Sequence, residues 1–257
     1  MARVAELADR YVPPTFDHVP DPDAALFLCA MDHRTGYGEA HAVAGEGPFS
    51  GSALLWAVAL DAARREPGRL TARSLRDIDA EGVAELFRIE GETVADPERR
   101  AGLLRDLARG LERDHHGETQ GLLAAAGGSL GGKGGLLELL ARYKAYADPL
   151  QKKSFLFAKI CERRGWFAIA DPAHWEVCAD NVLMRLALRS GLVEPGSLDE
   201  VRATTRAVFK EVAERSGVPP PVLDDLLWEL GRDDPDLLGT GGGDLSEPPR
   251  DPGSTWY

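Results

Sequence analysis

The sequence is short of the residues that staple or anchor a chain. Its three cysteines, Cys29, Cys161 and Cys178, are odd in number and never form C-x-x-C, so neither a disulfide framework nor a zinc or iron–sulfur cluster is supported. They read as buried apolar thiols in a reducing compartment. No basic n-region followed by an apolar core opens the chain and no apolar run is long enough for a bilayer, so the expectation is a cytosolic, soluble protein with no membrane partner. Cations are outnumbered, 30 Lys and Arg against 42 Asp and Glu, for a net charge of −12. Such a balance repels the phosphate backbone at long range and argues against duplex DNA as a partner, while leaving room for a small anion held by a few local cations. Alternating strand patterns are nearly absent as well.

What the chain does have is helical periodicity. Residues 1–23 carry Pro13, Pro14, Pro20 and Pro22 and read as an arm laid over the body. The apolar run Ala24 to Met31 reads as a short buried helix that ends at Asp32-His33-Arg34-Thr35-Gly36. The polar, glycine-containing residues 37–50 suit a short hairpin or an ordered loop. Ser50 to Arg65 has Ser50 or Ser52 as N-cap and a Pro67-Gly68 stop. Helices start again at Thr71, at Asp79 and at Asp96-Pro97, the last with Asp96 as its cap and with Leu103, Leu104, Leu107 and Leu111 on its buried face. Leu136 to Tyr146 reads as one amphipathic helix, Leu198 to Gly217 as a long one with a glycine stop, and Pro219 to Gly231 as another. The glycine-rich run Gly127 to Gly135 lacks the G-x-x-x-x-G-K-[ST] order of a phosphate loop and reads as a flexible connection. The expected class is therefore mostly α, an orthogonal helical bundle spanning 24–233, as one domain or as subdomains 24–135 and 136–233, followed by a flexible tail at 234–257.

Two stretches carry chemistry. Asp148-Pro-Leu-Gln-Lys152-Lys153-Ser154-Phe155 opens one helix with a lysine pair, and Val177-Cys-Ala-Asp180-Asn181-Val-Leu-Met-Arg185 opens another with an aspartate among apolar residues. By residue type alone, Asp180 reads first as the N-cap of the helix Asn181 to Ser190 or as a partner of Arg185, and the lysines could be a solvated helix start. His115-His116 with Glu118 is a weak metal signal, because adjacent helical residues point apart. Trp56, Trp166, Trp175 and Trp228 could stack on a base or lie in the core.

The run from Val177 to Leu192, with Asp180, Arg185, Arg189 and Gly191, resembles the second-helix signature of helix-hairpin-helix DNA glycosylases, which places a catalytic aspartate at the helix start. A closer resemblance covers Ala24 to Asp233 and is to the queuosine salvage family, nucleotide N-glycosidases that release queuine and are similar in fold to those DNA glycosylases. It rests on the apolar helix Ala24 to Met31, the Gly51 to Leu60 and Asp96 to Leu111 helices, the Leu136 to Asp148 segment and Leu223-Asp224-x-x-Leu227-Trp228. The family's K-R-A-Q stands here as Lys152-Lys153-Ser154-Phe155, and its A-D-Y-R-x-P-Q as Ala179 to Arg185. Its N-F-x-F-W segment is replaced by Asp32 to Gly36.

The resemblance implies a glycosylase-like fold and a hydrolase that cleaves the base–sugar bond of a small nucleotide, queuosine 5′-monophosphate. It implies Asp180 and Lys152 as catalytic residues. Lys153, Trp228, Asn181 and Asp224 fall in its motifs as substrate-binding residues, with no metal and no cofactor, and Asp32 and His33, at the end of an apolar helix, are expected beside them to read the edge of a base. A carboxylate below the anomeric carbon suits an oxocarbenium-like transition state, and a lysine suits the 5′-phosphate. A DNA glycosylase acting on a damaged, flipped base and a non-catalytic nucleobase-binding protein are the other readings.

Overall fold

The computed structural model describes residues 2–243, 247–251 and 253–256. Helix makes up 54% and strand 4%, so the mostly α class expected from periodicity is what the chain adopts. The chain divides into two compact units, Phe16–Asp171 with Thr255–Tyr257, and Met1–Thr15 with Pro172–Ser254. The boundary thus falls after Asp171, where the sequence reading set an internal division at 135/136.

The larger unit is built around α2 (Pro22–Met31), whose residues from Ala24 to Met31 are all buried. A helix that is apolar all round has no solvent face to keep, and α2 accordingly contacts α3 (Gly51–Arg65), α6 (Pro97–His115), α7 (Thr119–Ala126) and α9 (Lys152–Arg163). Asp21 caps its start by accepting the amide of Ala24 at 2.8 Å. The expected hairpin is β1 (His41–Val43) paired antiparallel with β2 (Glu46–Phe49), and its turn residues Ala44 and Gly45 have φ of 53° and 86°, the signs a tight hairpin turn requires. Val43 packs onto Leu54 and Val58 of α3. Short helices α4 (Ala72–Leu75) and α5 (Ala80–Leu86) lie against α6, which buries the leucines the spacing predicts.

Three expectations for this unit are corrected. The helix expected from Leu136 to Tyr146 is α8 (Leu136–Leu140) followed by a 3-10 turn at Lys144–Tyr146. Tyr143 sits against Gly110, and the Lys144 amide donates to the Asp106 carboxylate at 2.9 Å instead of continuing the helix. The glycine-rich run is a held loop rather than a flexible one. Leu130 and Gly131 donate their amides to the two oxygens of Asp171 at 2.6 and 3.0 Å, and Gly134 donates to Glu138 at 2.8 Å. Asp96 stands at the start of α6 with φ of 52° and makes no side-chain cap bond, pairing instead with Arg34 at 3.1 Å.

The smaller unit consists of α1 (Ala2–Ala8), α10 (Asn181–Arg189), α11 (Leu198–Ser216) and α12 (Pro220–Asp233). The N-terminal arm therefore begins as a helix, which contacts α11 and α12, before the prolines take over. Ser197 and Glu200 form a capping box at the start of α11, and Gly217 ends it with φ of 73°. Gly231 lets α12 approach α10, since a Cβ there would stand 2.5 Å from Leu186 Cδ1. The tail expected to be flexible is tied down at its start: the Gly242 amide donates to Arg189 O at 2.8 Å, and Arg189 pairs with Asp236. Its residues 244–246, 252 and 257 lie outside the described ones.

Candidate functional site

The lysine pair opens α9 in an arrangement that helix electrostatics alone disfavours, because ammonium groups in a first turn oppose the partial positive charge of the helix N-terminus. Buried Asp148 offsets it. Its carboxylate accepts the amides of Leu150 at 3.0 Å and Lys152 at 3.2 Å. Both side chains then run inward. Lys153 is 1% exposed and Lys152 9%, so neither is a solvated helix start.

Their destination is the C-terminal end of α2, where carbonyl groups are left without helical partners. The Lys153 ammonium donates to Ala30 O at 2.6 Å and lies 3.0 Å from Nδ1 of His33. The Lys152 ammonium donates to the backbone oxygen of Asp32 at 3.0 Å and stands 3.5 Å from its carboxylate Oδ2. On the other side, Ser52 Oγ donates to Asp32 Oδ1 at 2.7 Å. The serine considered as the cap of α3 thus serves the aspartate, while Ser50 holds the N-cap position without a side-chain bond.

One residue of this cluster escaped the sequence reading. Arg100 of α6 is 1% exposed, and its guanidinium donates to four carbonyls: Ala95 at 2.7 Å, Met31 at 2.8 Å, His33 at 3.1 Å and Arg34 at 2.6 Å. The signal was present, since Arg100 falls on the same helical stripe as Leu103, Leu104, Leu107 and Leu111. A cation on an apolar stripe is paired or hydrogen-bonded, because the desolvation of an unpartnered charge is prohibitive.

Burial sets the protonation in this cluster. It pushes the His33 imidazole well below the ordinary histidine range, and the charges of Lys153, Arg100, Lys152 and Arg99 push the same way. Burial also holds Lys153 well below the ordinary lysine range, with Lys152 adding to the effect and Asp32 opposing it. Arg100 is lowered to about 10 by burial and stays charged at neutral pH. The result is a water-poor group in which Asp32 is gripped from two sides and His33 is a neutral ring.

The remaining expected residues belong to the other unit. Asp180 is half-buried and is the N-cap of α10, its Oδ1 accepting the amides of Val182 at 2.9 Å and Leu183 at 3.0 Å. Arg185, the alternative partner, instead donates to Gly231 O at 3.0 Å and stands 3.8 Å from Glu247. The segment leading into Asp180 is fixed from two helices. Asp224 of α12 accepts the Cys178 amide at 2.8 Å, and Arg206 of α11 donates to Val177 O at 3.3 Å. Asp224, expected to bind substrate, is buried and makes this bond to the protein's own backbone. Asn181 is exposed at the first position of α10. Trp228 is half-buried with the Arg232 guanidinium 5.2 Å over its ring, and Arg164 covers Trp166 in the same way. Trp175 is core, 5% exposed.

Among the described residues no group of three His, Cys, Asp or Glu could hold a metal ion, and the His115, His116 and Glu118 set does not converge. Two surface clefts open on the larger unit. One of about 330 Å³ lies along Glu66, Arg69, Ser74 and Ile78, and one of about 610 Å³ along Asp23, Arg73, Arg76, Glu112, His116 and Glu118. None of the expected catalytic or substrate-binding residues lines either. No protein-family model matches the chain, and no curated protein matches it.

Proposed function

We propose that this protein is a hydrolase of N-glycosidic bonds that acts on a small nucleotide, queuosine 5′-monophosphate by the resemblance to the queuosine salvage family, and releases the free base. The observation that supports this most is the state of the lysine pair. Both lysines are drawn out of solvent into one cluster with Asp32 and His33, where their desolvation is costly and a solvated helix would serve folding better. Buried titratable clusters of this kind are characteristic of working sites.

Within the reading, the two lysines have different tasks. Lys153 is consumed by Ala30 O and His33 and supports the cluster from inside. Lys152 lies nearer the surface beside Asp32 and is the cation for an anionic substrate group, a phosphate monoester. By the resemblance, the carboxylate that stabilises the sugar cation as the base departs is Asp180. Its Oδ1 is fixed by two backbone amides at a helix N-terminus, which limits its motion. The Asp32 carboxylate accepts hydrogen bonds and suits a base with adjacent N–H donors.

The test is to incubate the purified protein with queuosine 5′-monophosphate and a panel of ordinary nucleoside monophosphates, following free base by chromatography, with Asp180→Asn and Lys152→Met in parallel. Release of base that disappears in Asp180→Asn and weakens in Lys152→Met supports the reading. Binding without release by the wild-type protein points to a nucleobase-binding protein, and neither binding nor release from any member overturns the proposal.

A further inference from the structure

Arg100 stands out because no ion pair among the described residues explains its burial. The guanidinium is almost fully enclosed, and its direct partners are four carbonyl oxygens, three of them from the segment Met31 to Arg34. The fourth, Ala95 O, belongs to the strand of chain that returns to the same turn, where the Ala95 amide donates to Thr35 O at 2.8 Å. Neutral acceptors repay less of the desolvation of a cation than a carboxylate does, so a leucine at this position of the α6 stripe would be cheaper for folding. What the arginine adds is geometry. A planar fork with five donors can hold several carbonyls at fixed angles at once, which no other side chain can do.

The carbonyls it holds bracket Asp32 and His33. With Met31 O, His33 O and Arg34 O fixed from one side, the backbone at these two residues has little freedom, and their side chains are delivered to Lys152 and Lys153 on the facing helix α9. Gly36 lies just beyond, with φ of 80° and no room for a Cβ beside Ala95, so the turn is fixed at its far end too. We propose that Arg100 is a positioning residue for the cluster: its fork locks the turn that carries Asp32 and His33 and so sets their register against the lysine pair. The consequence for catalysis rests on the reading of this cluster as a working site, whereas the positioning itself does not.

The test separates the two. Arg100→Lys keeps the positive charge but cannot hold four carbonyls, so any change it causes at His33 comes from geometry. The imidazole nitrogens of His33, assigned with His33→Gln, are followed by long-range proton–nitrogen spectra across the histidine range. The charged groups around that ring are Asp32 beside it, Lys152 and Lys153 from α9, and Arg99 and Arg100 from α6. The expected result is a neutral, non-titrating ring in the wild type and a ring in folded Arg100→Lys that titrates near the free value. A folded Arg100→Lys with unchanged His33 signals overturns the proposal.

If Arg100→Lys fails to fold, the wild-type guanidinium decides. A fork bound at every nitrogen gives separate, non-averaging Nη signals, and a single averaged signal overturns the proposal. In a hydrolysis assay Arg100→Lys is expected to lower kcat on the order of 100-fold with a smaller change in KM, the effect of a displaced binding geometry. If the wild type hydrolyses nothing, the functional reading fails while the His33 and Arg100 signals still decide the positioning.

Discussion

The ammonium of Lys153 lies 3.0 Å from Nδ1 of His33, and the two groups share the end of a buried helix. Neither can take up charge cheaply there, and both are shifted toward their neutral forms. A histidine whose folded pKa is depressed contributes stability that is whole above its free value of about 6.5 and is lost as the pH falls below it, because the unfolded chain then binds the proton more readily. The depressed lysine acts in the same sense, so stability rises with pH between its folded value and the free lysine value. Urea midpoints should therefore fall between about pH 7 and about pH 5, each unit of His33 depression being worth about 1.4 kcal/mol. His33→Gln should flatten that acid limb, and an unchanged limb in the variant would place its origin elsewhere.

Asp180 has two properties that substitution can separate. Asparagine keeps the cap geometry at α10 and removes the charge, whereas alanine removes both. Asp180→Ala should cost about 1 kcal/mol in urea unfolding and Asp180→Asn only a few tenths. Both should abolish base release if the carboxylate is catalytic, so loss of activity without loss of stability in Asp180→Asn is the informative outcome.

Gly110 lies in the middle of α6, where glycine weakens a helix, yet a Cβ there would stand 2.5 Å from Tyr143 Cε1. Gly110→Ala gains helix propensity and loses packing. Because Tyr143 is 2% exposed and cannot swing into solvent freely, the clash should win, costing about 1–3 kcal/mol by thermal or urea melting. A stabilised variant would show that the 3-10 turn yields easily.

Asp171 carries two backbone hydrogen bonds to the glycine-rich loop. Asp171→Ala leaves both amides without that acceptor and should cost about 2–3 kcal/mol, with Asp171→Asn intermediate. Hydrogen exchange should speed up at Leu130 and Gly131 first. Exchange at these amides that does not change on substitution would count against the clasp.

Much of the helical frame was legible because its signals are local. Asp79 caps the helix it opens, Gly217 ends α11, and the leucine spacing of α6 named its buried face. The failures share a different origin. Tyr143 under Gly110, the Lys144 amide on Asp106 and the Arg100 fork on Met31 to Arg34 all join residues dozens of positions apart, and periodicity says which face is buried without saying what it meets. The resemblance singled out the lysine pair, but the depth of its burial was not legible. Nothing local predicts that a helix would open with two inward-pointing cations against its own dipole.

The glycine-rich loop is held by a carboxylate of its own chain. Its amides at Leu130 and Gly131 converge as they would on a phosphate, and the acceptor they meet is the chain's own Asp171. A nucleotide approaching this loop would face a rival tethered beside it, and a contest between a dissolved ligand and an attached one is decided by effective concentration, which favours the attached one heavily. The loop is in that sense already saturated, by an occupant that cannot diffuse away.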